Sequence, residues 1–221
     1  MSLFRYYRGE RIPLHSSKLR FYGRLIVIDD SGEIGSPSQF CVLAASVTNN
    51  AKSVERVTKV FPPNNTENKH YNSLDETKVK VLNRVRECGV DIYAVSYEKS
   101  KLDVGTPKKK KEHNLRQSLE LVELVLTNDN GSAYDLIVDN TTLMKGYEDE
   151  FVKKCCEIAA RHNKRFENIE MRSSSGVKVL QIQDYVSSTL GAHMEHKDDV
   201  GNPCHGRFAI IERNVRRFIK K

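Results

Sequence analysis

The sequence predicts an α/β protein in which a mixed sheet, antiparallel at its start and parallel later, is flanked by helices. Three observations predict it. Two uninterrupted apolar runs of the same form, Ile26-Val-Ile-Asp29 and Leu136-Ile-Val-Asp139, read as strands buried on both faces. Apolar residues at helical spacing, as at Leu115, Leu119, Val122 and Leu126, read as amphipathic helices between strands. Only a short turn separates the first two strands, too little chain for the crossover that a parallel pair requires.

The opening strand starts at Arg24 and runs into a turn at Asp30-Ser-Gly32, and a second strand, Gln39 to Thr48, follows Gly35-Ser-Pro37. Residues 51–60 read as a short helix and Pro62-Pro63-Asn-Asn as a loop. Ser73 or Asp75 caps a helix that runs to about Arg86 and stops near Gly89. Val90 to Tyr97 is a third strand, and Leu102 to Lys111 reads as a polar, basic connection. A helix from His113 is closed by Asn128-Asp-Asn-Gly131. Then come a strand, Tyr134 to Asp139, a helix, Tyr147 to His162, an edge strand, Phe166 to Arg172, and a helix striped by Val179, Ile182, Val186 and Leu190. The expected division is a basic aromatic extension (1–23), one domain (24–197) and a basic tail (198–221).

At 221 residues, with 38% hydrophobic and 29% charged residues, the chain is long enough for one core and reads as globular rather than disordered. Its longest largely apolar run, Phe40 to Val47, is too short to span a bilayer, and no secretory leader is read, so a soluble, cytoplasmic protein is expected. Five irregularly spaced cysteines suit a reducing compartment better than a disulfide framework. The net charge of +7 divides into +5 in residues 1–24, +5 in the last fifteen residues and −3 between them. Basic ends with aromatic neighbours are the footprint of a nucleic-acid binder, with Arg5, Arg8, Arg213, Arg216 and Arg217 as the candidate phosphate contacts. A solvated terminus explains such runs as well.

The chemistry points to the acidic residues. A buried strand that ends in a carboxylate places the charge at the carboxyl edge of the sheet, where open α/β folds bind ligands. One such aspartate ordinarily starts a turn; Asp29 and Asp139 share one design. Asp184 is a third candidate, on a helix whose main apolar stripe avoids it, while Leu180, Ser187, Ser188 and Gly191 lie near its face. The small residues there allow the helix close to the sheet. Glu67, in Glu67-Asn-Lys69, precedes a helix. Clustered carboxylates repel unless protonated or neutralised, and oxygen ligands suit Mg²⁺ or Mn²⁺.

At these residues the chain resembles the family known as domain of unknown function 3800, a group regarded as RNase H-like. The matching features are Ile28-Asp29-Asp30-Ser31-Gly32, Glu67-Asn68-Lys69, Val138-Asp139 and Leu180-Gln181-Ile182-Gln183-Asp184-Tyr185, in the family's order over roughly residues 24–195. The chain departs from the family at Asp30, where Glu is usual, at Asn140, where Arg is frequent, and at Gln183, where Ala is common. Glu76 stands near enough in sequence to replace Glu67. The resemblance implies an RNase H-like mixed sheet whose first three strands are antiparallel and whose later ones are parallel, flanked by helices. It also implies Asp29 and Asp139 on adjacent central strands and Asp184 on the late helix.

Together these readings favour a nuclease acting on DNA or RNA with two Mg²⁺ or Mn²⁺ ions. Asp29, Glu67, Asp139 and Asp184 are its expected ligands, and Lys69 a contact to the scissile phosphate or the attacking water. The alternative is a catalytically silent module of the same fold that binds nucleic acid or serves assembly. A third reading places zinc between His193 and His196, one helical turn apart, with Cys204 and His205 behind them. The chain has neither a Gly-x-x-x-x-Gly-Lys phosphate loop nor a Gly-x-Ser-x-Gly elbow, which weakens ATPase and serine-hydrolase readings.

Overall fold

Because successive side chains on a strand point to opposite faces, the order of strands decides which carboxylates meet. The structure is a computed structural model describing residues 4–7, 10–13, 23–32, 36–48, 51–61, 70–139, 146–174 and 177–221. Its strands are β1 (Phe4–Tyr7), β2 (Glu10–Pro13), β3 (Arg24–Ser31), β4 (Phe40–Thr48), β5 (Asp91–Glu98), β6 (Ala133–Asp139), β7 (Arg165–Arg172) and β8 (Val215–Lys220). Its helices are α1 (Ala51–Thr58), α2 (Asp75–Glu87), α3 (Pro107–Asn128), α4 (Glu148–Arg161), α5 (Lys178–Glu195) and α6 (Pro203–Ile211).

All eight strands join one sheet in the order β2-β1-β7-β6-β3-β4-β5-β8. β3, β4 and β5 pair antiparallel in sequence, whereas β6 runs parallel to β3 and β7 parallel to β6. This is the α/β mixed sheet that was expected, antiparallel first and parallel later, with helices on both faces. Ile26, Ile28, Leu43, Val95, Leu136 and Val138 pack with α3 and α4 on one face. On the other, Val42, Ala44, Ile92 and Ala94 meet α1, α2 and α5, while Leu25, Val27 and Ile137 meet Val179 and Leu180. Burying one such aliphatic side chain is worth about 1.5–3 kcal/mol. Packing on both faces, more than strand propensity, therefore holds β3 and β6 at the centre.

Several elements depart from the sequence expectation for identifiable reasons. β7 is not an edge, because β1 pairs along its outer side, with Arg5 opposite Glu170. Its polar residues are enclosed: Glu170 and Arg172 are both buried and joined at 2.7 Å, and Asn168 Nδ2 donates to Asp135 Oδ1. The basic connection at Lys108 to Lys111 is the start of α3: Thr106 caps it by accepting from the Lys109 N–H at 3.2 Å, and Pro107 takes the first turn. Neither Ser73 nor Asp75 caps α2; Leu74 holds that place, Ser73 Oγ bonds the Tyr185 hydroxyl, and Asp75 is already helical. The stretch expected as a basic tail carries α6 and β8, and β8 adds to β5 in parallel. Among the described residues no helix is long and apolar enough to cross a membrane.

Candidate functional site

The carboxyl edge of β3 and β6 is built by register. Ile28 lies opposite Val138, so the next residues, Asp29 and Asp139, stand side by side where the parallel pairing of the two strands ends. Asp29 is buried and Asp139 half-buried. Asp184 comes from α5, which lies close against β3. A Cβ placed on Gly191 would fall 2.6 Å from Ser31 Oγ, and Ser187 Oγ donates to the Asp30 carbonyl at 3.3 Å. Farther along, Gln183 Nε2 donates to the Ala44 carbonyl at 2.9 Å. The small side chains expected to let the helix approach do so.

Asp29 and Asp184 each have a polar anchor. The Asp30 N–H donates to Asp29 Oδ1 at 2.9 Å, fixing the carboxylate against its own strand. The His70 N–H donates to Asp184 Oδ2 at 2.7 Å, and Ser188 Oγ donates to Asp184 Oδ1 at 3.4 Å. His70 belongs to a short 3-10 turn, His70–Asn72, whose ring sits edge-on to Tyr185 at 5.5 Å.

Burial is the largest cause that pushes the Asp29 carboxyl well above the ordinary carboxylate range. The negative charges of Asp30, Asp139 and Asp184 push it further up, and the Asp30 N–H opposes them. Three of the four expected acids, Asp29, Asp139 and Asp184, thus share one sheet edge, where the charges of the last two act on the first. The fourth, Glu67, lies with Lys69 outside the described residues, and Glu76 is exposed in the first turn of α2.

The donors gathered here are hard oxygens, which suit Mg²⁺ or Mn²⁺ rather than zinc, and the crowding of like charge at Asp29 is what a cation relieves. In donor chemistry the residues fit such an ion. Among the described residues, no three His, Cys, Asp or Glu side chains are grouped so as to hold a metal.

Beneath the edge, on the α3 side, lies a recess of about 10 Å³ lined by Asp29, Asp30 and Asp139 together with Asn114 and Ser118 of α3. Sequence reading passed over the last two. At i and i+4 they extend the buried stripe that Leu121 and Val125 continue, so two polar residues stand where periodicity calls for apolar ones. That interruption was the available signal. Buried His70 had none.

Elsewhere the sequence-derived candidates disperse. Arg216 Nε pairs with Asp91 Oδ1 at 2.6 Å, at the start of β5 and so at the opposite edge of the sheet from Asp29. Arg217 Nε donates to Asn128 Oδ1 at 3.3 Å, and Arg213 is exposed in the turn before β8. Arg5 is placed by the β1 backbone, and Arg8 lies outside the described residues. The expected zinc ligands do not converge. His193 Nδ1 and His205 Nδ1 bond each other at 3.0 Å, and His205 Nε2 faces the carbonyls of His196 and Asp199, so both nitrogens of His205 are engaged. Cys204 is buried.

No protein-family model matches the chain, and no curated protein is significantly similar to it.

Proposed function

We propose that the protein is a divalent-metal-dependent nuclease that hydrolyses phosphodiester bonds of DNA or RNA at the edge formed by Asp29, Asp139 and Asp184. One observation carries this reading: carboxylates from two adjacent strands and one helix lie at a single sheet edge, where the charges of Asp139 and Asp184 act on buried Asp29. Nothing in packing requires that arrangement, and it costs stability unless a cation joins it. The resemblance to the RNase H-like family supports the same reading.

When bound, a pair of Mg²⁺ or Mn²⁺ ions supplies an activated water and neutralises the leaving oxygen. The chain's own residues prepare the ground. Asp29, held by the Asp30 N–H, lies between Asp139 and Asp184 in the proposed ligand set, with Glu67 completing it. Asp184 is aimed by the His70 N–H and Ser188. Lys69 is proposed to hold the scissile phosphate or orient the water, and Arg5, Arg8, Arg213, Arg216 and Arg217 to hold flanking phosphates. Five cysteines without disulfides suit a reducing, cytoplasmic setting.

The experiment is cleavage of single- and double-stranded DNA and RNA with and without Mn²⁺, using the full chain and its Asp29→Asn and Asp184→Asn variants. Metal-dependent cleavage lost in both variants is the expected result; cleavage of no substrate, or full cleavage by both variants, overturns it. The second reading, a silent nucleic-acid-binding or assembly module, is favoured by the absence of a metal-holding trio among the described residues. It predicts salt-sensitive binding that is indifferent to Mn²⁺ and to Asp29→Asn.

A further inference from the structure

Among the described residues three large apolar side chains stand exposed: Tyr71 at 75%, Leu74 at 76% and Val200 at 89%. A lone exposed apolar residue is ordinary. Tyr71 and Leu74 are not alone, for both belong to the turn that anchors an acid of the edge. The His70 N–H donates to Asp184 Oδ2 at 2.7 Å, Tyr71 is the next residue, and Leu74 follows at the start of α2.

Neither side chain serves the fold. Leu74 holds the N-cap of α2 and makes no capping bond, where Ser, Thr, Asp or Asn would supply one. The Tyr71 ring stays outside the core, although an aromatic ring is among the largest apolar surfaces a core can gain. The turn beneath them is nonetheless tied down. The Ser73 N–H donates to the His70 carbonyl at 3.2 Å, Ser73 Oγ bonds the Tyr185 hydroxyl, and the buried His70 ring sits edge-on to Tyr185. A ring presented on an anchored turn meets a ligand with little freedom left to lose. Cations stand beside it: after burial, the charges of Lys78 and Arg207 are what act most on the His70 ring. Arg207 is matched by Asp75 at 2.6 Å, whereas Lys78 has no ion pair with a described residue.

We propose that Tyr71, with Leu74 beside it, is a stacking platform for an unpaired base, so that the strand presented to the acids of the edge is single-stranded DNA or RNA. The proposal rests on the nuclease reading of that edge and gives it a substrate class. Every base has a π-face that an aromatic ring can cover, and a neighbouring cation meets the phosphate that comes with it. Inside a duplex both faces of a base are already covered by its neighbours, so a paired strand has nothing to offer Tyr71.

The chain contains no tryptophan, so Tyr71→Trp places a single indole fluorophore on the platform. With Ca²⁺ in place of Mn²⁺, short oligothymidylate or oligouridylate should quench its emission by stacking, and a duplex closed by hairpins at both ends should not. Tyr71→Ala should bind the same single strands about tenfold more weakly, and Tyr71→Phe, which keeps the ring, as wild type does. All three substitutions should leave Tm unchanged, because the side chain is exposed. No quenching by either strand, equal quenching by the closed duplex, or undiminished binding by Tyr71→Ala overturns the platform. If metal-dependent cleavage persists in that case, the nuclease reading of the edge survives without it. Quenching by single strands in a protein that cleaves nothing keeps the platform and removes the nuclease reading.

Discussion

The two ends of β3 are solved in opposite ways. At the amino end every acid meets a cation or a donor: Arg24 Nη2 lies 2.8 Å from Asp129 Oδ1 and 3.6 Å from Asp91, and Arg216 also pairs with Asp91. Tyr134 OH donates to Asp129 Oδ2 at 2.7 Å, the Gly131 N–H does so at 3.0 Å, and Lys164 Nζ donates to the carbonyls of Leu126 and Asp129. Five residues along the strand, about 16 Å away, burial pushes the Asp29 carboxyl up, and the negative charges of Asp30, Asp139 and Asp184 push it further. One strand thus joins an end built for cohesion to an end that gives up cohesion, and perturbed carboxyls of the second kind cluster at functional sites.

The amino end breaks hardest. Asp129 is buried, and its removal takes from Arg24 its nearer carboxylate and from the Tyr134 hydroxyl its charged acceptor, leaving Arg24 with Asp91 at 3.6 Å and Tyr134 with the Gly131 carbonyl. Deleting one partner of such a pair costs about 3 kcal/mol at the lower end of the usual range. In a chain of this length each kcal/mol moves Tm by about 2–4 °C. Asp129→Ala is therefore expected to lower Tm by about 6–12 °C, read by thermal denaturation followed by circular dichroism. A loss under about 1 kcal/mol would show that the network contributes little.

At the carboxyl end the next effect comes from adding an ion. A ligand at a hundred times its Kd stabilises the folded state by about 2.7 kcal/mol, which at the same conversion raises Tm by about 5–11 °C. Saturating Mn²⁺ should do this for wild type and do markedly less for Asp29→Asn, whereas NaCl at matched ionic strength, which only screens, should not reproduce it. Equal shifts in both proteins would remove Asp29 from the ligand set.

The contrast between the ends was only half legible in the sequence. Asp29 and Asp139 could be found because each closes a continuous apolar run, and register then does the rest. Asp184 could be found because small residues beside it mark close helix approach. The paired end was hidden, since Arg24, Asp91, Asp129 and Arg216 are brought together from separate elements by the sheet alone. Asn114 and Ser118 were passed over because their burial shows in the sequence only as a polar interruption of the stripe that Leu121 and Val125 continue. β8 was missed because six residues rich in Arg and Lys look like a tail until β5 offers them a partner.

Substituting without metal reverses the sign seen at Asp129. A carboxyl whose folded pKa is raised binds its proton more tightly folded than unfolded, so stability falls as pH rises from the unfolded value toward the folded one. Asp29→Asn abolishes that loss. The variant should melt above metal-free wild type at pH 8, with the gap closing as the pH is lowered toward 4. Each unit of upward shift is worth about 1.4 kcal/mol, so a rise of a few degrees is expected. A variant less stable than wild type at pH 8 would mean that Asp29 is structurally paired like Asp129.

The smallest effect on stability tests what holds the carboxyl end in register. Alanine at Gly191 gains about 1 kcal/mol of helix propensity, but its Cβ would lie 2.6 Å from Ser31 Oγ and 3.0 Å from Ser31 Cβ. Overpacking of that kind costs about 1 kcal/mol at its mildest, so the two terms nearly cancel and Tm should barely move. The strain is relieved by α5 lifting from β3, and Asp184 rides on α5. A displacement approaching 1 Å can cost about a hundredfold in rate. Gly191→Ala should therefore lose cleavage at unchanged stability, and Ser31→Gly in the same chain, which removes both blocking atoms, should restore it. Full cleavage by Gly191→Ala alone would mean that the spacing of α5 from the sheet does not set the geometry of the acids.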